Sequence, residues 1–187
     1  MFEPNEKVVY PGHGVANVDG VIEKTVSGSS VKFIKLTFLY KDMTVLIPIY
    51  NADSLGLRYI SSIDIVDAAI EELKRVPEKK LECLDFTPSG WNRRHREYQL
   101  KIQGGKLIDI VKVYRDLMHI AQQKELSFGE RMLLQSIEEL LSQEIQSVKA
   151  ISNDDAIQEL RSPFKKLLNI TPYSKLNIKK GVQVAST

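Results

Sequence analysis

Val31-Lys32-Phe33-Ile34-Lys35-Leu36-Thr37-Phe38 decides how the first third of this chain folds. Apolar and polar residues alternate through most of it, and β-branched or aromatic side chains supply the bulk. A period of two describes a strand with one face on a core and the other toward solvent. Toward the N-terminus, Ser27-Gly28-Ser29-Ser30 reads as a hairpin turn. Before it lies a second strand, Val15-Ala16-Asn17-Val18-Asp19-Gly20-Val21-Ile22. The cluster Pro11-Gly12-His13-Gly14 divides that strand from Lys7-Val8-Val9-Tyr10. In the other direction, Lys41-Asp42 is a turn and Met43-Thr44-Val45-Leu46-Ile47-Pro48 is a strand ended by proline. Short strands so closely spaced predict a small SH3-like or Tudor-like β-barrel over residues 1–60, which limits free strand edges by curling the sheet.

Helical periodicity then takes over. Ile63, Val66, Ala69, Ile70 and Leu73 make one apolar stripe, with Ser62 placed to cap it. Residues 61–90 are read as this helix and a connector from Val76 to Ser89, which holds Pro77, Pro88 and the charged run Glu78-Lys79-Lys80. A second helix is expected from Asn92 to Gln103, stopped by Gly104-Gly105. A third runs from Leu107 to Lys124 with Ile110, Val111, Tyr114, Leu117, Met118 and Ala121 on one side. Ser127-Phe128-Gly129-Glu130 is a capping-box pattern and opens a fourth, whose stripe is Met132, Leu133, Ile137, Leu140, Leu141 and Ile145. A short helix from Asp154 to Arg161, capped by Asn153, closes the helical region at residues 91–161. The class is therefore α+β, a small β module followed by an all-α module. From Ser162 the pattern fades into a segment, 162–187, marked by Pro163, Pro172, Lys165, Lys166, Lys175, Lys179 and Lys180. It is either a solvated end or a weak electrostatic arm.

Composition narrows the function. The net charge of +2 over 187 residues is not that of a polyelectrolyte, so any nucleic-acid contact must come from a local patch. No apolar run approaches the roughly 18 residues of a membrane span. The N-terminus, with Glu3, Glu6 and Lys7, lacks a signal-peptide stretch. The single Cys83 cannot form an internal disulfide, which points to a reducing, cytoplasmic setting. His13, His95 and His119 stand in unrelated contexts, without His-x-x-x-His or Cys-x-x-Cys spacing, so no metal is expected. Pro11-Gly12-His13-Gly14 lacks the Gly-Lys-Ser/Thr of a phosphate loop, and no nucleophile elbow occurs. Glu138-Glu139 is read as a solvent-exposed pair on the side of its helix away from the apolar stripe. No enzyme activity and no cofactor are expected.

Thr87-Pro88-Ser89-Gly90-Trp91-Asn92-Arg93-Arg94-His95-Arg96 holds the one tryptophan of the chain. Pro88 and Gly90 place the indole at an element's edge. Arg93, Arg94 and Arg96 cannot all enter one core, because buried guanidinium groups need partners. Such a tryptophan is either a core or docking residue or an apolar wedge with phosphate-gripping cations.

These segments resemble the CarD/CdnL family of bacterial transcription regulators. The resemblance begins at Val8-Val9-Tyr10-Pro11-Gly12-His13-Gly14 and continues through Asp42-Met43-Thr44-Val45-Leu46-Ile47-Pro48. It resumes at Gly90-Trp91-Asn92-Arg93-Arg94 and at Leu126-Ser127-Phe128-Gly129-Glu130-Arg131-Met132-Leu133, and fades near Val148. The opening motif is also shared with the polymerase-binding piece of the transcription-repair coupling factor; the later motifs are more specific. The resemblance implies that the β module docks on the lobe of the RNA polymerase β subunit through Lys24, Val26 and Leu46. It implies that the helical module meets promoter DNA at the upstream edge of the bubble. Trp91 is then a minor-groove wedge that stabilises the open promoter complex, with Arg93, Arg94 and Arg96 on backbone phosphates. The chain departs from the family at Leu46, where an arginine is the pattern. Leucine cannot pair with a carboxylate, so the contact is expected to be weaker, or more apolar and strand-to-strand. Leu46 reads equally as a strand core residue. Lys24 keeps the charge but not a bidentate guanidinium contact.

Two or three phosphate contacts, each worth about −0.9 in salt slope, are too few for tight independent DNA binding. Tethering to polymerase makes a weak patch sufficient. The two modules need no second copy for these contacts, so a monomer bound to the nucleoid through polymerase is expected. The alternative is a protein adaptor on RNA polymerase without direct DNA wedging, and an RNA-binding module also remains open.

Overall fold

In the computed structural model, which describes residues 2–76 and 85–164, the alternating stretch forms most of a strand, Ser29–Phe38. It belongs to an antiparallel sheet of β1 (Lys7–Tyr10), β2 (Gly14–Val26), β3 (Ser29–Phe38), β4 (Thr44–Pro48) and β5 (Arg58–Tyr59), ordered β4-β3-β2-β1-β5. Ile34, Leu36 and Phe38 point inward and meet Val8, Ala16, Val18, Ile47, Ala52 and Leu57 in the core of this module. The β2–β3 turn is tighter than a four-residue loop: Ser29 pairs directly with Val26, leaving Ser27 and Gly28 as the two central residues. Both have positive φ, 49° and 82°, the geometry whose twist matches the flanking strands. A register shift between Val18 and Gly20 marks a bulge in β2.

Five helices follow: α1 (Ile63–Glu72), α2 (Pro88–Gln103), α3 (Leu107–Gln123), α4 (Phe128–Lys149) and α5 (Asn153–Arg161). Their shared core is built on α3 and α4, with Tyr114, Leu117, Ile137 and Leu141 fully enclosed. α4 opens with the expected capping box: Ser127 Oγ accepts from Glu130 N, and Glu130 Oε2 accepts from Ser127 N at 2.8 Å.

Several local readings are corrected. α2 starts at Pro88, not Asn92, because Thr87 Oγ1 accepts from Gly90 N at 3.2 Å and proline suits the first helical position. α5 is capped by Ser152, whose hydroxyl accepts from Asp155 N at 3.1 Å, and Asn153 lies inside the helix. Met132, expected in the inner stripe of α4, is half exposed. Glu138 is buried, not solvated, because Arg161 and Tyr114 donate to its carboxylate. A 3-10 turn at Ser162–Phe164 carries Phe164 into the core against Tyr114 and His119, so packed structure reaches past Ser162. Cys83, the charged connector run and the lysines from Lys165 onward lie outside the described residues.

The two modules meet along α4. Glu144 receives a fork from Arg58, Nη1 to Oε1 at 2.7 Å and Nη2 to Oε2 at 2.8 Å, and a third donor, Ser61 Oγ, at 2.6 Å. Arg58 Nε also donates to Gly105 O at 2.7 Å. One residue away, Gln143 Oε1 accepts from Val15 N at 3.3 Å. That carboxamide occupies the space that a side chain at Gly14 would need, and Gly14 has φ +108°. The last glycine of Pro11-Gly12-His13-Gly14 is thus demanded by the junction between modules.

Candidate nucleic-acid interface

The segment that carries Trp91 is built from a helix start. Asp85 Oδ1 accepts from Thr87 N at 2.9 Å and from Thr87 Oγ1 at 2.6 Å, so the capping hydroxyl is itself held. Those Thr87 hydrogen bonds hold the Asp85 carboxyl below the usual carboxylate range. Gly90 is buried, and a Cβ there would strike the Asp85 carbonyl. Trp91 therefore sits in the first turn of α2. Its indole is half-buried and lies across Gly129 of α4, with Nε1 and Cζ2 3.5 Å from where a Cβ would be. His95, one turn on, tilts against it with ring centroids 5.0 Å apart. The ring packs on the rim of the helical core and stays partly exposed.

The three arginines separate. Arg93 and Arg96 are exposed and share the outer side of α2. Arg94 is only 6% exposed. It donates to the Asp85 carbonyl, approaches Glu130 Oε1 at 3.5 Å and lies 5.8 Å from the centroid of Phe86. The expectation that Arg94 grips a phosphate is corrected: its position on α2 is the inward one, shared with Tyr98 and Ile102. Burial alone would raise the Glu130 carboxyl. Hydrogen bonds from Lys124 at 2.5 Å and from Ser127, with the Lys124 charge, outweigh it and hold the group below its ordinary value.

Two exposed apolar residues lie near the start of α4, Met132 against the expectation of an inner stripe and Phe128 with no role expected beyond the cap pattern. Phe128 is 72% exposed at the first position of α4, and Met132 is 50% exposed one turn further. The capping box fixes Phe128 just outside the inward stripe, which was the available signal.

On the β module, pairing places Lys24, Val26 and Leu46 on one outer face. Lys24 lies opposite Val31, Val26 opposite Ser29, and Leu46 opposite Lys35, in register with Phe33 opposite Ile22 and Pro48. Lys24 and Val26 are exposed and Leu46 is half-buried, while its neighbour Ile47 enters the core. Lys35 Nζ binds Asp19 Oδ2 at 3.0 Å, and that hydrogen bond lowers the Asp19 carboxyl.

The histidines stay apart in space. His13 stacks on Tyr10 with centroids 4.6 Å apart, and His119 packs edge-on to Phe164, where burial pushes its imidazole down. Among the described residues no group of three or more His, Cys, Asp or Glu is arranged to hold a metal. No described helix is long and apolar enough to cross a membrane.

Two family models match complementary parts of the chain. "CarD-like/TRCF RID domain" covers residues 2–61, and "CarD, C-terminal domain" covers residues 84–161. The chain is 26% identical over 152 residues to a protein of Bacillus subtilis (strain 168) named "Putative transcription factor YdeB", covering 81% of this chain and 95% of that one. It is also similar to the solution structure of the 72-residue N-terminal domain of Myxococcus xanthus CarD. There the identity is 25%, the coverage 32% of this chain and 79% of that chain, and the TM-score 0.28, too low to add to the fold description above.

Proposed function

Because the chain belongs to the CarD family and is a transcription regulator of that kind, we propose that it binds RNA polymerase and stabilises the open promoter complex with Trp91. The β module, within residues 1–60, docks on the lobe of the polymerase β subunit. The helical module, within residues 91–161, reaches DNA at the upstream bubble edge. The protein acts as a monomer wherever polymerase works.

One observation carries this reading: an indole anchored on Gly129 and still partly exposed, on a helix whose outer side exposes the guanidinium groups of Arg93 and Arg96. An apolar wedge needs a rigid seat, because a loosely held ring would lose its contact energy to ordering. Gly129 supplies the seat, and the capped start of α2 fixes the ring's direction. The two exposed arginines supply cations for adjacent phosphates, while Arg94 positions the helix. On the β side, β4 is an end strand of the sheet, so backbone groups next to Leu46 are open to pairing with a polymerase strand. Ile22, Phe33 and Pro48 give that face apolar area that does not depend on an arginine at Leu46.

Stabilisation follows from differential binding. A wedge that engages only the melted fork shifts the closed–open equilibrium by that difference, tenfold for about 1.4 kcal/mol. The test is the lifetime of open complexes with Trp91→Ala, with polymerase binding measured in parallel. A shorter lifetime at unchanged polymerase affinity is expected. An unchanged lifetime, with no footprint at the upstream bubble edge, would leave the adaptor reading in its place.

A further inference from the structure

α1 turns a face to solvent that neither core uses. Successive helix residues step by about 100°. Around α1 the exposed residues therefore run Ile63, Asp67, Glu71, Asp64, Ala68, Ile65. Carboxylates fill the middle, and the isoleucines at the two margins are 53% and 52% exposed. α5 continues this acidic surface. Lys149 Nζ lies 2.8 Å from Asp67 Oδ1 of α1 and 2.8 Å from Glu159 Oε2 of α5, so the two helices share one ammonium at the end of α4. Asp154 and Asp155 are exposed in the first turn of α5. Among the described residues no ion pair reaches them or Asp64. The charge of the chain is divided in a matching way. Residues 165–187 hold five lysines and no carboxylate, and the residues before them hold 21 Lys and Arg against 24 Asp and Glu, a net −3. The same segment is rich in apolar side chains, with Leu167, Leu168, Ile170, Leu176 and Ile178 among its lysines.

We propose that residues 165–187 dock on the α1–α5 face of their own chain, apolar side chains against Ile63 and Ile65 and lysines against the carboxylates, and that docking keeps those lysines off nucleic acid. The inference stands apart from the reading of Trp91 as a wedge. Residue 165 follows Phe164, which is enclosed directly after α5, so the segment starts from a helix that forms part of the face. Its 23 residues reach ~75 Å when fully extended, more than the step from α5 to α1 requires. Covalent attachment gives an effective concentration of order millimolar, at which individually weak contacts suffice. A segment that only neutralised phosphates would need its cations but not its leucines and isoleucines. The α1 face offers a counterpart to both. Gly129, under the indole, and Lys149 stand 20 residues apart on α4, about 30 Å along the axis. The docked lysines are thus held far from any DNA that Trp91 meets.

The experiment is carbodiimide coupling of the full chain at low salt, which joins a lysine amine to a touching carboxylate as an amide with loss of water. Coupled monomers are mapped by peptide mass spectrometry. Links from Lys175, Lys179 or Lys180 to Asp64, Asp67, Asp154 or Asp155 are expected within single chains, and their yield should fall as salt is added. Affinity for a random-sequence duplex is measured alongside by fluorescence anisotropy. Asp64→Asn combined with Asp154→Asn is expected to raise it about fivefold by releasing lysines to phosphates. The same pair of substitutions should change nothing in a full chain that also carries Lys175→Gln, Lys179→Gln and Lys180→Gln. Links found only between chains overturn the proposal in favour of a second copy as the occupant. Links absent, or spread over carboxylates of the β module, also overturn it and leave the segment as a solvated end or an arm on DNA. An equal rise in duplex affinity with and without the three lysines overturns the masking role, since the carboxylates then act on DNA directly, and so does an unchanged affinity in the full chain.

Discussion

Arg94 Nη2 lies 3.5 Å from Glu130 Oε1, and this contact ties the helix bearing Trp91 to the capping box of α4. Glu130 does three things at once: it receives Arg94, receives Lys124 at 2.5 Å, and closes its own helix by accepting from Ser127 N at 2.8 Å. Arg94 follows Trp91 by three residues, so both face α4, one as a ring on Gly129 and one as a charge on Glu130. The capped helix start that directs the indole is thus held against α4 by a buried ion pair.

The arginines should therefore separate in experiment. Arg94→Ala is expected to destabilise the helical module by roughly 2–4 kcal/mol, because it strips a buried carboxylate of one partner and leaves a gap behind Phe86. Arg93→Ala and Arg96→Ala should change stability by less than about 0.5 kcal/mol. Each should instead reduce the salt dependence of fork binding by about 0.9 in log–log slope. Urea denaturation and a salt titration of DNA affinity check the two halves. Equal stability losses in all three variants would contradict the burial assignment.

Glu130 also predicts an acid response. Its carboxyl titrates lower in the folded chain than in the unfolded one, so the unfolded state takes up the proton first as pH falls. The stabilisation is complete above the ordinary glutamate range and is lost as pH drops through the folded value. Melting temperature should thus fall on acidification, and Glu130→Gln should be less stable at neutral pH with a shallower acid slope. A Glu130→Gln profile parallel to the parent's would show that other carboxylates carry the acid response.

Much of this architecture was legible because most of it is periodic. Strand alternation at Val31–Phe38 and the Ser127–Glu130 cap are local signals, and both hold. The start of α2 is hidden because Gly90 looks like a breaker, while the stronger signal is Thr87 followed by Pro88. With the helix beginning there, Arg94, Tyr98 and Ile102 follow one another at four-residue spacing on the inner side. That spacing alone separates Arg94 from Arg93 and Arg96. Glu138 was not recoverable locally, since its partner Arg161 lies 23 residues away on α5. The same holds for Gln143 and Glu144, which are polar residues on a helix until the β module is packed against them.

At that junction, Gly14→Ala is expected to cost roughly 2–4 kcal/mol, since it combines a disfavoured φ with displacement of the Gln143 carboxamide. Glu144→Gln should be similarly damaging, because it leaves the Arg58 guanidinium short of a charge partner. Both variants should retain polymerase binding by the β module while losing open-complex stabilisation, because the modules no longer hold a fixed relation. Pull-down on polymerase together with open-complex lifetime separates the two activities. Full lifetime in a variant whose junction is demonstrably loosened would mean that the modules act independently.

The outer sheet face allows a change that removes docking without weakening the fold. Leu46 is half-buried opposite Lys35, and Ile47 beside it supplies the core contact. In Leu46→Glu the new carboxylate faces Lys35 across the strand pair and shares that ammonium with Asp19, so little net change in sheet stability is expected. An unchanged melting temperature then separates a fall in polymerase affinity from unfolding. If the contact is apolar and strand-to-strand, a charge in its centre should weaken binding about tenfold or more, or at least ~1.4 kcal/mol. Fork binding by the isolated chain should stay unchanged. Equal polymerase affinity in Leu46→Glu and parent would move the docking surface off this face, whereas a loss shared by Val26→Glu and absent from a Thr25→Glu control on the opposite face would fix it there.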